Sequence, residues 1–510
     1  MTRALLSRRR VFEGLFAAGL VGPAACAPAR NPARSAALAP VQYDAANQRK
    51  HIVVIGAGMG GLAAALRLSE LGFRVTVLER APMPGGRVSS VPVPGFAIEA
   101  EGRRYDKLQD VGAQFLSDRY GTLFSLLKQS GASLSPLPLS TRSATLRGGK
   151  ALVVDGARPF TLVDSGLVDF ASAARVKVAY DLAEYNVRDL PLDDFAAWGA
   201  VDRGTARQWL DEHYGDVGAR YLGDPAIETL FFHRPEETSK AFFLWLIANH
   251  AAVSQWLTLA GHTASIPAAF ARALVARKVD VRFLVEAVSV AEDGPAARVR
   301  VQLRDGSALD ADGAIVATPG PVSRRLLAKP TAAQAAIVEG GYASTIVVNF
   351  HCARAFAPLH RDGAIGGVNV PAVERRGVIA GLSIESGKYP DAAREGTLRG
   401  HEIYGVHLTD AGARKLLAES DDVIARTVRR ELESYIPGIL ASERGAVVKR
   451  WEHAIPLSPP GRAIALDAFW REQHDAPGRI LLAGDQTTFA TLDAAARSGV
   501  VAAEALARRA

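Results

Sequence analysis

The chain has 510 residues, 48% of them hydrophobic and 22% charged. That length exceeds what one core ordinarily organises, and the composition excludes disordered, collagen-like and single-module classes, so a globular protein of two or more domains is expected. The formal charge of +7 is concentrated at the start, where Arg3, Arg8, Arg9, Arg10 and Arg30 face Glu13 alone. The small excess left over does not favour nucleic acid, and Cys26 and Cys352 cannot build a disulfide framework or a cysteine-rich metal site.

Residues 1–30 combine a basic run, Arg8-Arg9-Arg10, with a short apolar stretch from Gly14 to Val21 and a small-residue end from Pro23 to Ala27. This is the pattern of an export signal, too short and glycine-rich to span a bilayer, so no stable membrane span is expected. Arg9-Arg10-Val11-Phe12 resembles the twin-arginine motif of the bacterial route that exports folded proteins, which implies a periplasmic location. Cys26 offers an alternative as a lipid-attachment cysteine, although Pro23 stands where that motif has leucine. Residues 31–49, rich in Ala, Pro and Asn, read as a linker.

The run His51-Ile52-Val53-Val54-Ile55 predicts a strand buried on both faces of a parallel sheet. Gly56-Ala57-Gly58-Met59-Gly60-Gly61 then turns the chain into a predicted helix ending near Gly72, and residues 73–79 supply a second strand. Within this βαβ unit Gly56 allows the tight turn, Gly58 lets a diphosphate reach the backbone and Gly61 permits close packing of helix on strand. The helix amino terminus offers unpaired N–H groups to the diphosphate. Glu79 stands where a carboxylate accepts hydrogen bonds from both ribose hydroxyls of an adenosine and repels a 2′-phosphate.

Arg80 leads on to Gly85-Gly86-Arg87, which resembles the second signature of the glutathione-reductase-type flavoproteins; the glycine pair brings backbone N–H groups to a phosphate and Arg87 can bond it at two points. Near the other end, Leu481-Leu482-Ala483-Gly484-Asp485 and the small-residue helix after Leu492 resemble the closing motif of the flavin-containing amine oxidase superfamily. Asp110-Val111-Gly112-Ala113-Gln114 resembles its D-x-G-A segment, and Ala314 to Pro319 its A-T-G-type strand end.

The resemblance implies an α/β protein with a Rossmann-like FAD-binding domain and an interleaved α+β substrate domain. FAD would be bound non-covalently, with Gly112, Ala113 and Gln114 passing the isoalloxazine ring and the Val288 backbone bonding adenine. Gly484 and Asp485 would meet the ribityl or diphosphate region, and the backbone near Leu492 the flavin carbonyl. The cofactor domain is assigned to residues 50–115, 261–330 and 470–510, and the substrate domain to residues 116–260, expected to be mostly helical, and 331–469.

Lys449-Arg450-Trp451-Glu452-His453 and the prolines after it resemble a stretch of the protoporphyrinogen oxidase and desaturase branches, which makes Trp451 and His453 candidate substrate contacts. Phe242, Phe243 and Trp245 read as helix core, and His233, His250 and His351 sit beside apolar neighbours with no visible partner. No catalytic residue is assigned and no metal is expected. The function implied is FAD-dependent hydride abstraction from an amine or another activated C–H of an apolar small molecule, with the flavin reoxidised by O2 or another acceptor. One alternative is porphyrinogen-oxidase- or desaturase-like C–C dehydrogenation, since the segment Gly320 to Leu327 after Pro319 has arginines and no lysine. A second alternative is a non-catalytic flavin-binding electron carrier. Substrate and oligomeric state stay open.

Overall fold

Strand His51–Ile55 is buried along its whole length and lies between two parallel neighbours, Arg74–Glu79 and Gly313–Val316. Asp280–Phe283 and Ile480–Leu482 pair in parallel on the two outer sides and complete a five-stranded sheet. This is a computed structural model, and it describes residues 38–100, 103–251, 255–259, 262–293, 298–389, 398–475 and 478–509. The export-signal and lipid-cysteine readings fall on residues 1–37 and lie outside the described residues.

Side chains alternate across a strand, so each strand of this sheet serves two cores. Ile52, Val54, Val75, Val77 and Ile315 pack with helices Met59–Glu70 and Leu492–Arg509, while Val53, Ile55, Leu78, Ala314 and Val316 pack towards the antiparallel strands Ala287–Asp293 and Arg298–Leu303. Fully burying such side chains stabilises the fold by roughly 1.5–3 kcal/mol each, which is why the sequence reads as unbroken apolar runs here. The segment read as a linker is attached from residue 38 on. Arg67 donates to the Ala39 carbonyl (2.9 Å), Asn47 donates to the Leu71 carbonyl (2.9 Å), and Ala45–Arg49 forms a short 3₁₀ turn.

A second, seven-stranded sheet is built from strands between residues 142 and 456. Its order runs from Glu443–Pro456 through Tyr342–Cys352, Glu402–Leu408, Ile379–Ile384 and Gly367–Asn369 to the hairpin Arg142–Arg147 and Lys150–Asp155. Two neighbouring cross-strand rows define its two faces. Val448, Val348, Val406, Leu382, Val368 and Ala144 are paired in register and pack in one apolar core with Ile424, Val428 and Leu432 of helix Asp421–Tyr435. One residue along, Lys449, Val347, His407, Gly381, Asn369 and Thr145 are paired in register, and of these all but Gly381 line a cavity.

Over that second face lie helices Phe170–Val187, Ala206–Gly218, Asp224–Phe231 and Lys240–Ala251. Phe242, Phe243 and Trp245 are buried in their core, as the apolar run predicts. Residues 116–260 are less helical than expected: Arg142–Arg147 and Lys150–Asp155 are strands of the second sheet. Gly148 and Gly149 both take positive φ (57° and 75°) in the turn between them, the conformation a two-residue hairpin needs.

Candidate active site

The glycine-rich turn is built by backbone contacts too close for any side chain. Gly56 has φ +104°, and a Cβ on Gly61 would lie 1.9 Å from the Gly56 carbonyl oxygen. A Cβ on Gly499 would lie 2.0 Å from the Gly60 carbonyl, so the carboxy-terminal helix crosses directly over the turn. Gly58 differs: no protein atom lies within 4 Å of where its Cβ would stand, and it borders the cavity. Gly86, with φ +58°, places its own missing Cβ only 3.8 Å from the Gly58 Cα, and the Gly85 N–H donates to the Ala57 carbonyl at 2.8 Å. The two glycine motifs therefore face each other across a groove whose edge is bare backbone.

Glu79 accepts hydrogen bonds from the backbone N–H groups of Ala57 and Ala81, both at 2.8 Å, which fixes the carboxylate at the end of its strand. Two sequence assignments change here. Ala57 and Gly61 do not border the cavity: the Ala57 N–H is taken by Glu79 and its carbonyl by Gly85, while Gly61 packs on Gly56. They shape the turn, and Gly56, Gly58, Met59, Gly60, Glu79 and Arg80 line it.

Arg87 and Asp485, 398 positions apart, meet at this groove. Arg87 donates from Nη1 (2.5 Å) and Nη2 (2.7 Å) to the two carboxylate oxygens, and from Nη1 to the Ala454 carbonyl (3.0 Å). Burial opposes the guanidinium charge, but Asp485 more than offsets it and the Arg87 pKa is raised. The Tyr342 ring lies 5.7 Å from the guanidinium carbon. Arg87 is thus committed to a carboxylate, and its two-point geometry is spent on Asp485.

The Asp110 to Gln114 segment docks on the same turn. A Cβ on Gly112 would lie 2.0 Å from the Arg87 carbonyl, which also accepts the Ala113 N–H at 2.9 Å. Asp110 itself is a buried hub, accepting from the Ser90 and Thr263 hydroxyls and from the Thr263 N–H. Gln114 lines the cavity with its Oε1 buried and unpartnered, the kind of orphan a bound group satisfies. Val288 is the extra residue of a β-bulge between Ala287 and Ser289, outside the pairing register and bordering the cavity, which leaves its backbone placed to meet a base edge. Gly484, Asp485 and Leu492 border it too, and the Gly484 N–H is held by the Ser498 hydroxyl at 2.8 Å.

These pieces line one cavity of about 1690 Å³. It runs on past Trp451, whose Nε1 donates to the Val111 carbonyl (2.6 Å), into a chamber between the second sheet and its helices. His453 borders the cavity beside Tyr342, its ring centroid 5.7 Å away, and burial lowers its pKa. Sequence reasoning missed the chamber floor, Lys449, His407, Asn369 and Thr145, because their alignment arises only from strand register. Burial lowers the His407 pKa to about 4, so its imidazole is neutral near pH 7. His233 is buried and its pKa is lowered to about 4 by burial, which outweighs a backbone hydrogen bond at Pro456, and His351 bonds His401 at 2.8 Å; neither lines the cavity. The His250 side chain lies outside the described residues. Among the described residues no group of acids, histidines and cysteines is arranged to hold a metal, and no helix is long and apolar enough to cross a membrane.

The bare-backbone groove, the fixed Glu79, the orphaned Gln114 and the bulge at Val288 fit an adenine dinucleotide with a second ring system, and with the apolar chamber they define the class as an FAD-dependent oxidoreductase. The chain belongs to the flavin-containing amine oxidoreductase family, whose model matches residues 59–507. Among solved structures it is similar to cyclohexylamine oxidase from Brevibacterium oxydans IH-35A, at TM-score 0.66 and 18% identity over 90% of this chain and 99% of that one. A candidate protoporphyrinogen oxidase from Exiguobacterium sp. 255-15 matches at TM-score 0.69 and 18% identity, again over 90% and 99%. Among curated relatives, hydroxyneurosporene desaturase of Rhodobacter capsulatus is 59% identical over 44 residues, 9% of each chain. The all-trans-zeta-carotene desaturase of Myxococcus xanthus is 52% identical over 99 residues, 18% of this chain and 17% of that one. The chain thus spans less than a fifth of the length of these two curated relatives.

Proposed function

We propose that the protein oxidises an apolar small molecule by abstracting hydride from an activated C–H, with O2 or another acceptor taking the electrons onward. The observation that carries this reading is the continuity of one cavity from Glu79, at the dinucleotide end, to Phe231 and Leu230 under the helices. Bound FAD supplies the hydride acceptor. The chain's own residues hold and shield: Glu79 and the groove between Gly58 and Gly86 grip the nucleotide, while Val176, Tyr180, Leu222 and Phe231 exclude water from the reacting C–H.

Carbon–carbon dehydrogenation is the second reading, favoured over amine oxidation by a specific feature. The acid in the far part of the chamber, Asp155, already accepts from the Thr141 hydroxyl (2.7 Å), Arg158 (2.9 Å) and the Ala157 N–H (3.0 Å), so it offers little to an ammonium. The deciding experiment is anaerobic mixing of purified yellow protein with a panel of amines and of saturated apolar compounds. Bleaching of the flavin bands supports turnover and chooses between the readings; retained flavin that no C–H donor bleaches refutes turnover in favour of a carrier. We further propose export through the twin-arginine route on the strength of Arg9-Arg10-Val11-Phe12. Changing Arg9→Lys and Arg10→Lys together should keep the protein in the cytoplasm, and unchanged periplasmic recovery would refute that route.

A further inference from the structure

The chamber floor is unequal in polarity from end to end. Along the row paired across six strands, Val347 and Gly381 are apolar, while His407, Asn369 and Thr145 offer neutral hydrogen-bonding groups; Asn369 Nδ2 donates to the Thr145 hydroxyl at 3.5 Å. Lys449 is the one fixed charge in that row, because burial, with Lys388 adding to it, keeps His407 neutral. Strands lie about 4.8 Å apart, so the row extends roughly 24 Å from Lys449 to Thr145. The roof above it, with Val176, Leu222, Leu230 and Phe231, is mainly apolar, and its one cation among the described residues, Lys177, is paired with Asp181.

Three other cations bordering the cavity have counter-ions. Lys177 pairs with Asp181, Arg142 lies 3.8 Å from Asp362, and Arg450 bonds Asp421 at 2.5 Å. Lys449 instead lies over the Trp451 indole, Nζ 4.7 Å from the ring centroid, with no carboxylate partner among the described residues. The indole is itself anchored through Nε1 to Val111, next to Gly112 and Ala113. A cation held on an aromatic face beside an apolar chamber keeps its charge available, and a charge-assisted bond from it to an anion is stronger there than in water.

We infer that the substrate of this chamber carries a carboxylate, which Lys449 binds beside Trp451 while the apolar remainder lies along the sheet row under the helices. The inference rests on reading the chamber as the substrate end of the cavity. It names a chemical class, elongated apolar carboxylates, and disfavours alkylammonium ions, which Lys449 repels.

The test uses the flavin-loaded protein and three probes with one skeleton: decanoate, decanol and decylamine. Binding is read by calorimetry and by the shift of the flavin bands at pH 7.5. Decanoate is expected to bind about tenfold or more tightly than decanol, with decylamine weakest. Lys449→Met, which keeps the stem over the indole, should bring decanoate down to the decanol level without changing decanol binding or flavin content, and Lys449→Arg should keep most of the preference. If decanoate binds no tighter than decanol in the parent protein, or if its advantage survives in both Lys449→Met and Lys449→Gln, the inference is wrong. Flavin content measured on the same samples separates the two levels: a protein that neither retains nor takes up FAD refutes the oxidoreductase reading itself.

Discussion

Gly58 and Gly61 lie three residues apart in one turn, and the structure assigns them opposite tasks that a pair of alanine substitutions separates. Gly58 has φ −75° and ψ −179°, a conformation any residue adopts, and a Cβ there touches no protein atom within 4 Å. As the residue before helix Met59–Glu70 it loses about 0.5–1 kcal/mol of cap quality on becoming alanine, and regains about 0.4–1 kcal/mol from a stiffer unfolded chain. Stability of the FAD-stripped protein should therefore move by less than about 0.5 kcal/mol. The methyl group nevertheless projects into the groove where the diphosphate must approach, and loss of one charge-assisted hydrogen bond costs about 1.5–3 kcal/mol, or about 10- to 150-fold in FAD retention. The Gly61→Ala methyl meets the Gly56 carbonyl at 1.9 Å, and because that partner is backbone the turn itself must move. The helix-propensity gain of up to about 1 kcal/mol does not offset overpacking of about 1–3 kcal/mol or more, and both stability and FAD retention should fall. Denaturant unfolding of stripped protein and FAD titration of the same samples measure the two quantities. Gly58→Ala protein that keeps FAD as the parent does, or that loses as much stability as Gly61→Ala, would refute this division.

Glu79→Ala removes the acceptor for the Ala57 and Ala81 N–H groups together with the proposed ribose contact, and should cost about 2 kcal/mol or more of stability along with FAD; unchanged flavin content in purified protein would count against the ribose role. Glu385 is buried, yet Lys388 and Lys107 hold its carboxyl down at about 2 against burial. A folded-state pKa below the unfolded value of 4.5 means stability present above pH 4.5 and lost as pH falls towards 2, by roughly 3 kcal/mol, which pH-dependent unfolding should show as a steeper acid loss in the parent than in Glu385→Gln. Glu402 has the opposite sign: burial raises it to about 7, so the folded state binds the extra proton and stability declines as pH rises from 4.5 through 7. Asp224, raised to about 7 by burial, adds to the same decline, so Glu402→Gln should make it shallower, and a parent-like slope would sink the assignment.

How much of this was readable beforehand depended on whether a contact is written in the backbone or in the register. Gly56, Gly61, Gly86 and Gly484 are legible because only a residue without a Cβ permits their φ values or approaches, and glycine advertises itself. Val288 as a bulge, and Gln114 as an orphan, follow from partners that no local pattern announces. The hairpin Arg142–Arg147 to Lys150–Asp155 did carry a signal, the Gly148-Gly149 pair between β-branched and apolar residues, but it sits in a region whose aromatic and alanine content points to helix. The chamber floor carried no local signal: Lys449, Val347, His407, Asn369 and Thr145 come into line only once five separate strand pairings are fixed, and slipping any one by a residue would exchange the cavity face for the apolar core face.

The pairing of Arg87 with Asp485 links these two levels. Each residue alone reads as a phosphate or ribityl contact, but together they form a two-point ion pair that ties the amino-terminal turn to the last strand, with the Ala454 carbonyl from the second sheet completing the set. Breaking a partly buried pair of this kind leaves an uncompensated charge, which costs more than the pair contributes. Closure of the glycine-lined groove and docking of the second sheet therefore share one set of hydrogen bonds, through Ala454 on the strand that also carries Lys449 and Trp451. Asp485→Asn should accordingly weaken FAD retention and also change ligand binding in the chamber, whereas Glu79→Ala should affect FAD retention with little effect on chamber binding once FAD is resupplied in excess. Parallel losses in both variants would mean that Asp485 acts on the nucleotide alone.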